Sequence, residues 1–205
     1  DHSRSSFIAN GLDEERLTKQ LDAIAKVNKG YEKDGSKFRL LTGSEVDILS
    51  KGKLDFPDEL LAQLDCVVAS IHQGFGGNEE EMSKRLIKAA ENKYVQTLGH
   101  ITGRLLLERD AYKLNQRKII DACAANGTWI ELNASPYRMD MDWRLWSYAK
   151  EQGVKCVINT DAHRVEHFGF LRLGAGVARK GWLTKNDVVN TLTLTKLKQA
   201  LAAKR

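Results

Sequence analysis

The chain carries five histidines, and three of them fall where an enzyme would place metal ligands. His72 closes the run Val67-Val68-Ala69-Ser70-Ile71, His100 closes Val95-Gln96-Thr97-Leu98-Gly99, and His163 follows Val157-Ile158-Asn159-Thr160-Asp161-Ala162. Each run is short and largely apolar, the pattern of a buried strand, so each histidine lies at a strand's end or in the turn beyond it. Asp161, two residues before His163, can turn into the same site, although it could instead cap the segment that follows. Glu45 sits in Gly43-Ser44-Glu45-Val46-Asp47-Ile48, where a carboxylate on an otherwise apolar strand is costly unless it is paired or metal-bound. Asp47 shares that face by the period of two and is at most a supporting residue. Imidazole and carboxylate together suit Zn, Mn or Fe, so a multinuclear metal site is expected. His167 reads as an exposed histidine.

Arginines accompany these residues. Arg4 follows His2, Arg104 lies four residues beyond His100, Arg138 follows Asn133-Ala134-Ser135-Pro136-Tyr137, and Arg164 directly follows His163. The guanidinium fork matches a phosphate, so Arg4, Arg104 and Arg138 are expected to bind substrate and Arg164 to act beside the ligands. Tyr137 and Phe75 are loop aromatics that could stack on a base or simply pack the rim.

Ligands far apart in sequence converge only if the elements carrying them are arranged side by side. Strands are expected over residues 38–49, 66–72, 95–100, 129–134 and 155–159, each apolar on both faces as in a covered parallel sheet. Helices are expected over 12–28, 79–92 with Asn78 as cap, 110–125, 142–152, from Thr184 onward, and 195–204. Strand and helix alternate at the spacing of βα units, whose C-terminal strand ends form one rim. Five strands are too few for a closed barrel, so a leading βαβ segment is expected to be missing; a doubly wound open sheet is the competing architecture. The 205 residues suffice for one domain, read as 1–205.

Composition narrows the class. Lys and Arg number 32 against 27 Asp and Glu, giving +5 and a pI near 9.1, a balance that suits a polyanion such as DNA. Cys66, Cys123 and Cys156 are widely spaced, odd in number and set in apolar runs, which points to buried thiols and a reduced, cytoplasmic setting. No apolar stretch is long enough to span a membrane.

The motifs Gly43-Ser-Glu-Val-Asp-Ile-Leu49, Val68-Ala-Ser-Ile-His72, Leu98-Gly-His100, Glu131-Leu-Asn-Ala-Ser-Pro-Tyr-Arg-Met-Asp140 and Asn159-Thr-Asp-Ala-His-Arg164 together resemble the polymerase and histidinol phosphatase (PHP) superfamily. Within it they are most like the C-terminal PHP domain of bacterial family X DNA polymerases. The resemblance covers essentially the whole chain. It implies a distorted (β/α)7 TIM-like barrel with up to three Mn or Zn ions and a metal-dependent 3′–5′ exonuclease or DNA end-processing activity. It also implies roles: Glu45 bridging two metals, His72 and His100 completing one of those sites, Asp161 serving the other, and His2 and His163 holding the third. The family's opening His-x-His is absent, so it is expected roughly 30 to 40 residues upstream, in a parent chain that also carries a polymerase region. A small-molecule phosphatase of the histidinol-phosphate type and a catalytically inactive DNA-binding module are the alternatives.

Overall fold

The structure, a computed structural model, describes residues 1–204. Five strands, β1 (Gly43–Asp47), β2 (Cys66–Ser70), β3 (Thr97–Leu98), β4 (Trp129–Asn133) and β5 (Cys156–Asn159), pair in parallel in the order β1-β2-β3-β4-β5. All five expected strands are therefore present. The first is shorter than 38–49, because Leu40 bonds to the Asn28 side chain instead of joining the ladder. A sequential order has no reversal point, so the doubly wound alternative does not describe this sheet.

Both faces of the sheet carry apolar residues, as expected, but they differ. On one face Cys66, Trp129 and Val157 pack with Leu41, Val189 and Leu201 only at the N-terminal half of the strands, and the C-terminal half is polar. On the other, Val46, Ala69, Leu98, Ile130 and Cys156 lie in register across all five strands and are buried. They form the main core with helix residues such as Met82, Leu86, Ile119, Ile120 and Cys123. By the alternation of side chains, the C-terminal half of the face carrying Cys66 and Trp129 presents Glu45, Asp47, Ser70, Thr97, Glu131, Asn133 and Asn159. The metal-ligand candidates His2, His72 and His100 gather at that polar half, around Glu45.

Two short backbone segments flank the sheet. Residues 1–3 run beside β1, with Ser3 N–H donating to Glu45 O at 3.0 Å and Glu45 N–H to Asp1 O at 2.9 Å. This pairing brings His2 next to Glu45. At the other side, Cys156 N–H donates to Asp187 O at 2.9 Å.

Seven α-helices cover the described residues: α1 (Glu14–Lys33), α2 (Asp58–Leu61), α3 (Glu79–Glu91), α4 (Gln116–Asn126), α5 (Trp146–Glu151), α6 (Leu171–Lys180) and α7 (Leu194–Ala202). The Asn78 side chain accepts from Glu81 N–H and the Glu81 carboxylate accepts from Asn78 N–H, a complete capping box for α3. Helix α4 starts later than residue 110. Tyr112 N–H is taken by Thr102 O, and Asn115 supplies the cap. No helix begins at Thr184; its N–H and hydroxyl both donate to the Asp187 carboxylate, closing a turn. Helix α6 was not expected, because its glycines weaken a helical pattern. Gly174 is required there: a Cβ would lie 2.5 Å from Ile158 Cγ2 and 2.8 Å from Ala134 Cβ. No helix among the described residues is long and apolar enough to cross a membrane.

Candidate metal centre

Glu45 is the hub of the polar face. Its Oε1 lies 2.9 Å from His100 Nε2 and 3.3 Å from His72 Nε2, while Oε2 lies 3.6 Å from His2 Nε2. The two oxygens thus face different histidines, delivered by residues 1–3, by the segment after β2 and by the segment after β3. Behind His72, the buried Asp47 accepts from Nδ1 at 2.5 Å and from Ser5 Oγ at 2.6 Å. Ring orientation and tautomer of His72 are thereby set, leaving Nε2 toward Glu45. Ligand atoms of Glu45, His72 and His100 cluster within 4.8 Å of one another, close enough for one ion.

A second pole lies beyond β5. Asp161 adopts φ 51°, a left-handed conformation favoured only by short polar residues and glycine. Its Oδ2 accepts from Asn133 Nδ2 at 3.1 Å and faces Arg138 Nε at 3.3 Å. It does not cap a helix; the segment after it starts at Arg164 without a side-chain cap. His163 Nδ1 donates to Asp161 O at 2.8 Å, because a carbonyl can only accept, and this bond does not occupy Nε2. His163 is largely exposed, and its backbone N–H donates to His167 Nδ1 at 3.2 Å. His167 is half-buried and stacks on Phe170, so it is less exposed than expected.

The charge state of the hub follows from burial set against pairing. Burial alone would push the Glu45 carboxyl up, but hydrogen bonds from His100 and His72 outweigh it and hold the group well below its usual range. Burial likewise works against charge on His72, yet Asp47 and Glu45 raise it to about 9. His100, fully buried, is raised by Glu45 in the same way. For His2, burial prevails over Glu45 and lowers its pKa. Three imidazoles drawn to one carboxylate, with Asp47 behind one of them, form a donor set that suits a divalent transition ion. The buried Nδ1 atoms of His2 and His100 have no hydrogen-bond partner.

These residues line one cavity of about 640 Å³ that holds His2, Glu45, His72, His100, Asp161 and His163 together, with Arg138 and Arg109 on its wall. Of the expected phosphate-binding arginines, only Arg138 is there. Arg104 donates from Nε to Arg138 O at 2.8 Å and from Nη2 to Met139 O, bracing a loop. Arg4 and Arg164 are exposed and do not line the cavity.

The sequence reading missed a buried polar network under the site. Glu131 Oε2 accepts from His100 N–H at 2.7 Å, and Oε1 accepts from Asn159 Nδ2 at 2.8 Å. Burial raises its pKa. Asp140, fully buried, accepts from Thr102 N–H and Oγ1 at 2.8 and 2.7 Å. The signal available was the period of two, which puts Glu131 and Asn133 on one face.

A parallel α/β sheet whose strand ends gather histidines and carboxylates into one cavity defines a candidate metal-site protein of the barrel-like α/β class. No family model matches the chain. The DNA polymerase/3′-5′ exonuclease PolX of Bacillus subtilis strain 168 is 42% identical over 194 residues, 95% of this chain. The chain spans only 33% of that protein's length. A probable phosphatase of Thermoanaerobacter sp. strain X514 is 30% identical over 176 residues, covering 81% of this chain and 69% of the relative. One from Caldanaerobacter subterraneus is 29% identical over 176 residues, covering 81% and 66%. The chain belongs to the PHP superfamily.

Proposed function

We propose that residues 1–205 form the PHP domain of a family X DNA polymerase and hydrolyse DNA phosphodiesters from a 3′ end in a metal-dependent reaction. The observation that carries this reading is Glu45, with histidines from different elements at each of its oxygens. The similarity to a polymerase/exonuclease and to probable phosphatases supports phosphoester hydrolysis, and the positive net charge favours the polyanionic substrate. We read the sequential parallel sheet as five strands of a distorted (β/α)7 barrel.

Glu45, His72 and His100 would hold one Mn²⁺ or Zn²⁺, with Glu45 shared toward His2; Asp161 and His163 would serve neighbouring positions. A divalent ion bound there supplies Lewis-acid polarisation of a phosphoryl oxygen and an acidified water. The protein contributes the rest. Asp47 fixes the His72 ring, and Glu131 fixes the backbone at His100. Arg138, paired with Asp161, lines the cavity and would offer its remaining donors to a phosphoryl oxygen.

The test is Mn²⁺-dependent shortening of a 5′-labelled single-stranded oligonucleotide, compared with turnover of a phosphomonoester. Activity that persists in both Glu45→Ala and His100→Ala would rule out the assigned site. Turnover of the monoester alone would move the substrate to the small-molecule class.

A further inference from the structure

The wall of the cavity holds a second arginine, Arg109, that the sequence motifs did not single out. Residues 105–109 form a tight loop, with Arg109 N–H donating to Leu105 O at 2.7 Å and Leu107 at φ 68°. At its end, the Arg109 guanidinium lies over the Phe75 ring, 4.5 Å from the centroid. Phe75 in turn stacks nearly parallel on Tyr112, with centroids 5.7 Å apart and planes at 13°. Tyr112 is buried and anchored by its hydroxyl, which donates to Ile101 O at 2.6 Å. The ring needs the glycine beneath it, since a Cβ on Gly103 would sit 2.4 Å from Tyr112 Cε1.

The same Gly103 accepts from Arg109 at its carbonyl, from Nε at 3.1 Å and from Nη2 at 2.7 Å. One face and one edge of the guanidinium are therefore immobilised. Among the described residues, Nη1 has no hydrogen-bond partner and no carboxylate pairs with this side chain. The contrast with the other cavity arginine matters, because the charge of Arg138 is already answered by Asp161 at 3.3 Å. An exposed arginine held flat on a cavity wall, with Nη1 free and no carboxylate partner among the described residues, has the form of an oxyanion receptor. The ordering entropy of its long side chain is largely met before any ligand arrives.

We infer that Arg109, held by the Tyr112–Phe75 column, is a substrate-binding residue that takes a phosphate group of the ester. This rests on the phosphoesterase reading of the cavity and adds to it the residue that sets affinity. The experiment compares wild type with Arg109→Gln, Arg109→Lys and Phe75→Leu, all loaded with Mn²⁺. Two measurements are made: steady-state kinetics on the oligonucleotide and on a phosphomonoester, and calorimetric binding of inorganic phosphate. Arg109→Gln is expected to raise KM roughly tenfold or more, with kcat within about threefold, and to weaken phosphate binding by a similar factor. Arg109→Lys should recover part of the phosphate affinity, since it keeps the charge but not the fork. Phe75→Leu should weaken binding less, because it loosens the arginine without removing it. Phosphate affinity and KM unchanged within twofold in Arg109→Gln would overturn the inference. If wild type turns over neither substrate, the phosphoesterase reading fails. The calorimetry still decides the fate of Arg109: phosphate binding lost in Arg109→Gln upholds the receptor, and equal binding overturns it.

Discussion

Asp47 shows how much of a candidate metal centre can rest on a residue that touches a histidine from behind. It is buried, and both of its oxygens are engaged, one with His72 and the other with Ser5. Its removal would leave the imidazole free to rotate and shift its tautomer. Asp47→Asn is expected to weaken Mn²⁺ binding roughly 10- to 100-fold while leaving the fold intact, because partners of metal-ligating histidines contribute about that much. Titration calorimetry reads this directly, and an unchanged affinity would remove Asp47 from the site. Glu45→Ala should lose more, since it deletes the group to which three histidines are drawn. At this scale the sequence was informative wherever a residue type was unusual for its setting. Glu45 and the strand-end histidines stood out against apolar runs. Arg109 did not, because nothing in Leu105-Leu106-Leu107-Glu108-Arg109 indicates that the chain doubles back to lay that arginine on Phe75.

The elements that carry these residues divide into those with local signals and those held by tertiary contact. Asn78 announces α3 in the sequence as a cap, the helix begins where it should, and Glu81 completes a capping box in the structure. Asn78→Ala is expected to cost about 1 kcal/mol of stability, the usual worth of such a cap, measurable by urea denaturation; a loss below a few tenths would mean that packing alone holds the helix start. Helix α6 is the opposite case. Its Leu-Arg-Leu-Gly-Ala-Gly start reads as a weak helix former, and Gly174 is there for packing against Ile158 and Ala134. Gly174→Ala should therefore destabilise by roughly 1–3 kcal/mol, although alanine favours a helix, because overpacking outweighs propensity. An increase in stability would refute the close approach. The turn at Thr184 shows why capping patterns mislead. Thr-Lys-Asn-Asp satisfies its own donors in a turn and needs no helix to follow.

At the scale of the whole molecule, the sheet places a charged cluster where its stability depends on what neutralises it. In the metal-stripped protein, His72 is raised from 6.5 to about 9 by Asp47 and Glu45, against the lowering effect of burial. A raised histidine contributes stability that is fully present below the unfolded value of 6.5 and is lost as pH climbs through about 9. His100 is displaced in the same direction. Glu45 is depressed below 4.5, so its contribution is present above that value and is lost as pH falls further. As far as Glu45, His72 and His100 are concerned, the metal-free protein should thus be most stable from about pH 4.5 to 6.5, with a decline of up to roughly 3 kcal/mol toward pH 9. An ion held as proposed would reverse the slope. It would require neutral imidazoles, so its binding would displace protons from His72 and His100, and its affinity would rise with pH over the same window. The thermal shift produced by Mn²⁺ should therefore grow steadily between pH 6.5 and 9, then level off once His72 is neutral. Melting curves with and without Mn²⁺, taken across that range, check both halves of the argument. The hub as described would not survive a metal-free melting temperature that is flat from pH 6.5 to 9, or a Mn²⁺ shift independent of pH. His72→Gln supplies the control, because it should flatten the metal-free slope and shrink the Mn²⁺ shift together.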